Sequence, residues 1–504
     1  MIRARDDGLW PEAVPLTEQD AIAHLHGICF KTGPPERVGV ELEWLVCDAR
    51  NPALPVGPPR VRAALAGLDR PGALPARGCL TTEPGGQLEL SSLPAASIGD
   101  CLANAARDMA ALTEAMQAAG LCLSGHGLDP FRPPLRVLDS PRYAAMEEFF
   151  DRSGPAGRIM MCSTASVQVC LDAGEDGAGQ QSYRRRWHLL HAIGPVLVAA
   201  FANSPLRQGR PTGWRSTRQA VWAKLDPGRT RPPQGTGQPA GSTDLRSQWA
   251  AYALDAKLMC IRRHGTDSWA APPGLTFRDW LLGAGVTARL PGGASSVSSA
   301  RAVSSEVSSA RDASDGAGTS GASGGASSGR GASNGRDART GCDGGGTHRT
   351  AGPHRAHRAA PASRDAGRRP TRDDLDYHVS TLFPPVRPRG HLELRMIDAQ
   401  PGDGWVVPTA VVWALLNDAL AADAALAAAE PLWDGHRDPW SRAARHGPAD
   451  ECIAGAIRAC FEAAYAALRR SDAPAPLLCS VADFAARYVQ RDRCPADDLL
   501  EECA

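Results

Sequence analysis

A chain of 504 residues, 43% of them hydrophobic, is long enough to build one large domain or two intimate ones around a sizeable core. Lysine plus arginine number 55 and aspartate plus glutamate also 55, so no net field draws the chain to nucleic acid or an anionic membrane, and small molecules are the expected partners. The opening Met1-Ile2-Arg3-Ala4-Arg5-Asp6-Asp7 is not an apolar signal stretch and no apolar run is long enough to span a bilayer, so a cytoplasmic address is expected.

The first patterned segment is Val38–Val46. Its even positions are all apolar, while Glu41 and Glu43 fall together on the opposite face, as alternation along a strand requires. A Pro-Gly-Gly turn then leads from Glu83 into a second strand with Gln87, Glu89 and Ser91 on one side and Leu88 and Leu90 on the other. The two glycines permit backbone shapes that other residues resist and would let a ligand approach closely. Helical spacing of Ala and Leu marks residues 98–119, and Ser163–Val169 reads as a third strand with Thr164, Ser166 and Gln168 on its polar face. That neutral face suits recognition of a zwitterionic amino acid by hydrogen bonds. A further helix is expected over 183–203.

From Pro291 to Pro370 the composition turns to Gly, Ser, Ala, Arg and Asp, with Val297, Val303 and Val307 the only large aliphatics. Such a stretch cannot offset its ordering entropy, so 291–370 is expected to be a disordered insertion between two parts of one catalytic domain, 1–290 and 371–504. The fourth patterned strand follows it. His391, Glu393 and Arg395 share one face of His391–Asp398, with Leu392, Leu394 and Met396 behind. Helices are expected over 408–429 and 450–470. The 14 cysteines lie singly from Cys29 to Cys503, without zinc-finger spacing, and are expected to be free thiols.

Four strands, each apolar behind and polar in front, predict an α+β fold in which a mostly antiparallel sheet carries helices on its back and a polar floor on its open side. Glu41, Glu43, Glu83, Glu89 and Glu393 could not crowd together on that floor without raising one another's pKa unless divalent cations neutralise them, and oxygen-only donors favour Mg²⁺ or Mn²⁺. Arg395 beside them suits phosphoryl transfer, where the task is to position groups and neutralise oxygen charge. No Walker or dinucleotide glycine loop and no Gly-x-Ser-x-Gly elbow is present, so a nucleotide must be held by other means.

These segments, with Met160–Val169, Phe201-Ala-Asn-Ser-Pro205 and Thr381-Leu-Phe-Pro-Pro-Val-Arg387, resemble in order the motifs of the glutamate-cysteine ligases shared by plants and many bacteria. Asp129-Pro130, Tyr143, Ser153–Arg158 and Asp226–Thr230 bring the resemblance closest to the actinobacterial branch that feeds γ-glutamylcysteine to ergothioneine synthesis. It covers roughly residues 15–290 and 371–490, and the 80-residue insertion departs from it without touching a motif.

The resemblance implies the curved antiparallel sheet of glutamine synthetase and the guanidino kinases. It implies ATP-dependent joining of the glutamate γ-carboxylate to the amine of cysteine, through a γ-glutamyl phosphate. Glu41, Glu43, Glu83, Glu89 and Glu393 stand where that family binds magnesium, with Glu393 also catalytic beside Arg395, the arginine at the transferring phosphate. Met161, Thr164, Ser166 and Gln168 stand in the amino-acid pocket, and Arg218 and Trp222 belong to the same site. A carboxylate-amine ligase with another acceptor, or a non-catalytic amino-acid or nucleotide binder, remain the alternatives, and amine-dependent ADP release separates them.

Overall fold

The computed structural model describes residues 15–233, 244–263, 268–283, 368–434 and 438–503. They fall in one compact unit drawn from both sides of 288–364. The insertion expected from composition lies outside the described residues except for its last three. Those three are held to the body: the Trp280 indole donates to the Arg368 carbonyl at 3.0 Å, and Leu16 N–H donates to the Pro370 carbonyl at 3.0 Å.

The main sheet has seven strands, β1 (Val38–Asp48), β2 (Cys79–Thr82), β3 (Leu88–Ser91), β4 (Leu121–Ser124), β5 (Ser166–Asp172), β8 (Val386–Pro388) and β9 (His391–Asp398). Strands β6 (Leu206–Arg207) and β7 (Arg210–Pro211) form a separate hairpin. The order across the main sheet is β2-β3-β1-β5-β9-β8, with β4 on the far end of β1, and every pairing is antiparallel. The alternation in the sequence fixes which side is buried. Val38, Val40, Leu42, Trp44, Leu88, Leu90, Val167, Val169, Leu171, Leu392 and Leu394 join one core with residues of helices Ile98–Ala118, Gly194–Ala200 and Val406–Asn417. Each such side chain is worth roughly 1.5–3 kcal/mol relative to exposure, so a slip by one residue, which would turn the whole row outward, is strongly disfavoured.

Two expected helices are each split in two. The stretch 183–203 forms Tyr183–Ala192 and Gly194–Ala200, because Pro195 lacks an N–H and is tolerated only in the first turn of a helix. The stretch 408–429 forms Val406–Asn417 and Ala419–Ala429, where Asp418 caps the second helix by accepting from Ala421 N–H at 2.8 Å. Among the described residues no single helix is long and apolar enough to cross a membrane. All 13 described cysteines are free.

One irregularity sets up the site. Between the pairs Val167–Ile397 and Val169–Leu394, Gln168 of β5 faces two residues of β9, Arg395 and Met396. This β-bulge shifts the alternation by one, so that Asp398, paired with Ser166, joins Glu393 and Arg395 on the polar side where regular alternation would have put Ile397.

Candidate active site

The polar side of the sheet is roofed by helices Pro141–Asp151, Ala156–Ser163 and Thr217–Trp222. Their apolar residues, among them Met146, Phe149, Met160, Met161 and Val221, form a second cluster apart from the main core. Between roof and sheet lies a cavity of about 550 Å³. Its lining includes Glu41, Glu43, Glu83, Glu89, Met161, Thr164, Ser166, Arg218, Trp222 and Arg395. Gln168 and Glu393 reach the same place through hydrogen bonds to Glu43 and Arg395. All twelve side chains singled out from the sequence are thus brought together.

Charge divides the floor by strand. On β1 and β3 stand Glu41, Glu43 and Glu89, with Glu83 at the turn before β3; on β8 and β9 stand Arg387 and Arg395, with Arg389 in the turn between them. Strand β5 lies between the two signs and offers neutral groups. Ser166 donates to Glu43 Oε2 at 2.9 Å, and the Gln168 amide donates to Glu43 Oε1 at 2.8 Å while its oxygen accepts from Arg395 Nη1.

The acidic half is strained electrostatically. Burial, then repulsion from Glu393 and Glu89, pushes Glu41 up to about 7. Burial, then Glu89 and Glu43, pushes Glu83 up to about 8. Burial raises Glu43 and Glu89 as well. Oxygen-only donors whose charge is this poorly balanced fit a hard divalent cation such as Mg²⁺ or Mn²⁺. Among the described residues no group of three or more acidic, histidine or cysteine side chains is arranged to hold a metal ion as it stands.

Glu393 is different. Fully buried, it accepts from Arg387 Nη2 at 2.7 and 3.0 Å, from Arg387 Nε at 3.1 Å, from Arg389 Nη1 at 3.4 Å and from Arg395 Nη1. Burial alone would raise its pKa, but Arg387, Arg395 and Arg389 together outweigh burial and hold it well below the usual carboxylate range. In this arrangement Glu393 anchors the three arginines from the same floor that carries the other four glutamates.

One wall of the cavity carries Met161, Thr164 and Trp222. The Thr164 hydroxyl is spent on the Met160 carbonyl at 2.7 Å, closing the end of helix Ala156–Ser163. Arg218 is buried, donates from Nη2 to the Arg395 carbonyl at 2.7 Å and lies 5.8 Å from the centre of the Trp222 ring. Its Nε and Nη1, like Arg395 Nε and Trp222 Nε1, are buried without a hydrogen-bond partner among the described residues.

The Pro-Gly-Gly turn packs closely against the roof. A side chain on Gly85 would begin 2.2 Å from the Cys162 carbonyl oxygen, and Gln87 donates to the carbonyls of Met161 and Thr164 at 3.2 and 3.0 Å. The turn holds the roof helix to the floor. Arg387, Arg389, Arg142 and Tyr143 are among the further cavity residues not singled out as site residues. Arg387 had a readable signal, since Gly390 (φ 81°) closes a tight turn that sets Arg387 across from Glu393. Arg389 lies inside that turn. Arg142, bonded to the Ser380 hydroxyl and carbonyl at 3.2 Å each, and Tyr143 sit on a helix whose sequence has no pattern to mark them.

Residues 37–502 match the model of a family described as glutamate-cysteine ligase family 2. A protein named glutamate–cysteine ligase EgtA from Mycobacterium tuberculosis is 34% identical over 98% of this chain and 93% of its own length, and its namesake from Mycolicibacterium smegmatis is 34% identical over 97% and 93%. The chloroplastic glutamate–cysteine ligase of Arabidopsis thaliana is 28% identical over 53% of this chain and 52% of its own length.

Proposed function

The chain belongs to glutamate-cysteine ligase family 2, and we propose that it joins the γ-carboxylate of L-glutamate to the amine of L-cysteine at the expense of ATP. The observation that carries this reading is the division of one floor into a carboxylate half and a guanidinium half. A nucleotide triphosphate with its divalent cation has the same two needs, oxygen ligands for the metal and donors for the phosphates. Glu41, Glu43, Glu83 and Glu89 would hold the cation, whose part when bound is to neutralise phosphate charge.

Arg395 lies at the boundary between the halves, its charge aligned by Glu393 and Gln168, and it stabilises the charge that develops as the γ-phosphoryl group passes to the glutamate γ-carboxylate. A free carboxylate is a poor electrophile, and the acyl phosphate is a good one. The cysteine amine then attacks, a tetrahedral intermediate forms, and phosphate leaves. Arg218, which lines the cavity, meets a carboxylate of the bound glutamate, while Met161 and Trp222 exclude the water that would hydrolyse the acyl phosphate. No protein nucleophile takes part. On the actinobacterial motifs, the product serves ergothioneine synthesis.

The test is to incubate the protein with ATP, Mg²⁺, glutamate and each amino acid in turn, and to identify products by mass. Formation of γ-glutamylcysteine with one ADP per peptide bond is expected. ADP release without any amine, or a faster reaction with another acceptor, would overturn it.

A further inference from the structure

Asp398 is one of the most completely engaged carboxylates in the molecule, and none of the steps above uses it. It is buried at the end of β9, on the polar side only because of the bulge. Its Oδ2 accepts from Asn203 N–H at 3.0 Å and the Ser204 hydroxyl at 2.7 Å, and its Oδ1 accepts from the Ser216 hydroxyl at 3.0 Å. Ser216 is the N-cap of helix Thr217–Trp222, which carries both Arg218 and Trp222 into the cavity. The same Oδ1 stands 3.7 Å from Arg218 Nη1. No side chain could replace the hydrogen of Gly127, because a Cβ there would lie 2.5 Å from the Asp398 carboxyl carbon.

The bulge holds the same helix from the other side. A bulge interrupts the ladder and leaves main-chain groups free for other partners. The Arg395 carbonyl accepts from Arg218 Nη2 at 2.7 Å and the Met396 carbonyl accepts from the Gln219 amide at 2.7 Å. The residue whose side chain faces the phosphates therefore holds, through its own carbonyl, the arginine that faces the amino acid. A charged donor that must meet a ligand needs its other contacts fixed by groups that cannot follow the ligand, and Asp398, ion-paired with Nη1, supplies the fixed negative charge.

We propose that Asp398 is a positioning residue for glutamate: through Ser216 and Arg218 it holds the helix Thr217–Trp222 on the β9 bulge so that the Arg218 guanidinium meets the substrate carboxylate. The inference rests on the reading of Arg218 as a glutamate contact, and the experiment separates the two. KM for glutamate and for ATP, and kcat, are measured for Asp398→Asn, Arg218→Ala and the double variant, with glutamate binding followed by calorimetry.

Asp398→Asn keeps the size, accepts on one side and donates to a serine hydroxyl on the other, so the expected result is a rise of about tenfold or more in glutamate KM and dissociation constant, with ATP KM within about twofold of wild type. The double variant should be little worse than Arg218→Ala alone, because residues acting as one unit are not additive. Should Asp398→Asn fail to fold, Ser216→Ala leaves the charge in place and cuts its link to the helix, and a smaller rise confined to glutamate is expected. Unchanged glutamate binding in the folded variants, equal losses for both substrates, or additive effects of Asp398→Asn and Arg218→Ala would overturn the proposal. If Arg218→Ala itself left glutamate binding unchanged, it is the reading of Arg218 that would fall.

Discussion

Glu43 of β1 stands directly across from Glu89 of β3. Like charges facing each other on paired strands are destabilising, and here burial and then Glu43 raise the Glu89 carboxyl. On the proposed reading a bound cation compensates this arrangement, and the consequences can be measured.

The first consequence is a stability that depends on pH and metal together. Glu41 and Glu83 are raised from 4.5 to about 7 and about 8, so the folded state holds protons that the unfolded chain has already released. Their contribution to stability is fully present below about pH 4.5 and is lost as pH rises through 7 to 8. Without divalent cations Tm should fall between pH 6 and pH 8.5, and Mg²⁺ should restore more of it at pH 8.5 than at pH 6, since binding requires the deprotonated carboxylates. A melting temperature indifferent to Mg²⁺ at pH 8.5 would remove the metal assignment.

Glu41→Gln and Glu393→Gln should both abolish most turnover but move stability in opposite directions. The first removes a charge that the empty protein bears at a cost, so the metal-free variant should melt no lower than wild type at pH 8. The second leaves three guanidiniums without their shared carboxylate, and breaking a buried pair costs about 3–5 kcal/mol. Urea denaturation beside a rate assay checks both. Either variant keeping more than about a tenth of the wild-type rate, a loss under ~1.4 kcal/mol, would show that its carboxylate is dispensable.

Arg395→Lys keeps the charge but not the planar fork, of which Nη1 alone touches both Glu393 and Gln168. Its kcat should fall by about tenfold or more while KM for cysteine stays near wild type. A change confined to cysteine KM would move Arg395 out of the phosphoryl site.

Gly85→Ala tests the turn as a packing device. The new methyl meets the Cys162 backbone, which cannot rotate away, and overpacking of this kind costs about 1–3 kcal/mol. A denaturation midpoint equal to wild type would show that the roof helix is not braced there.

The floor was legible because alternation with a period of two is a strong signal: Glu41 and Glu43 in Val38–Asp48, and Glu393 and Arg395 in His391–Asp398, share their faces as the pattern requires. Asp398 was not legible, since the bulge that turns it inward leaves no mark in the order of residues and arises from pairing with β5. Arg142 escaped for a related reason, as its helix reaches the cavity through tertiary packing rather than through any periodic feature of its own. Glu393 and its partner Arg395 were found together, while Arg387 and Arg389, which also hold Glu393, were not singled out.

The two signs of charge on the floor also come from two different stretches of chain. The carboxylates of β1 and β3 precede residue 283 and the guanidiniums of β8 and β9 follow residue 368, while Trp280 and Arg368 touch, the guanidinium 5.1 Å from the ring centre. Cutting the chain at that junction is expected to give two polypeptides, neither with a complete site. Mixed together they would complement through the β5–β9 pairing, and activity would rise with the product of their concentrations: a ligase that works only when its halves meet.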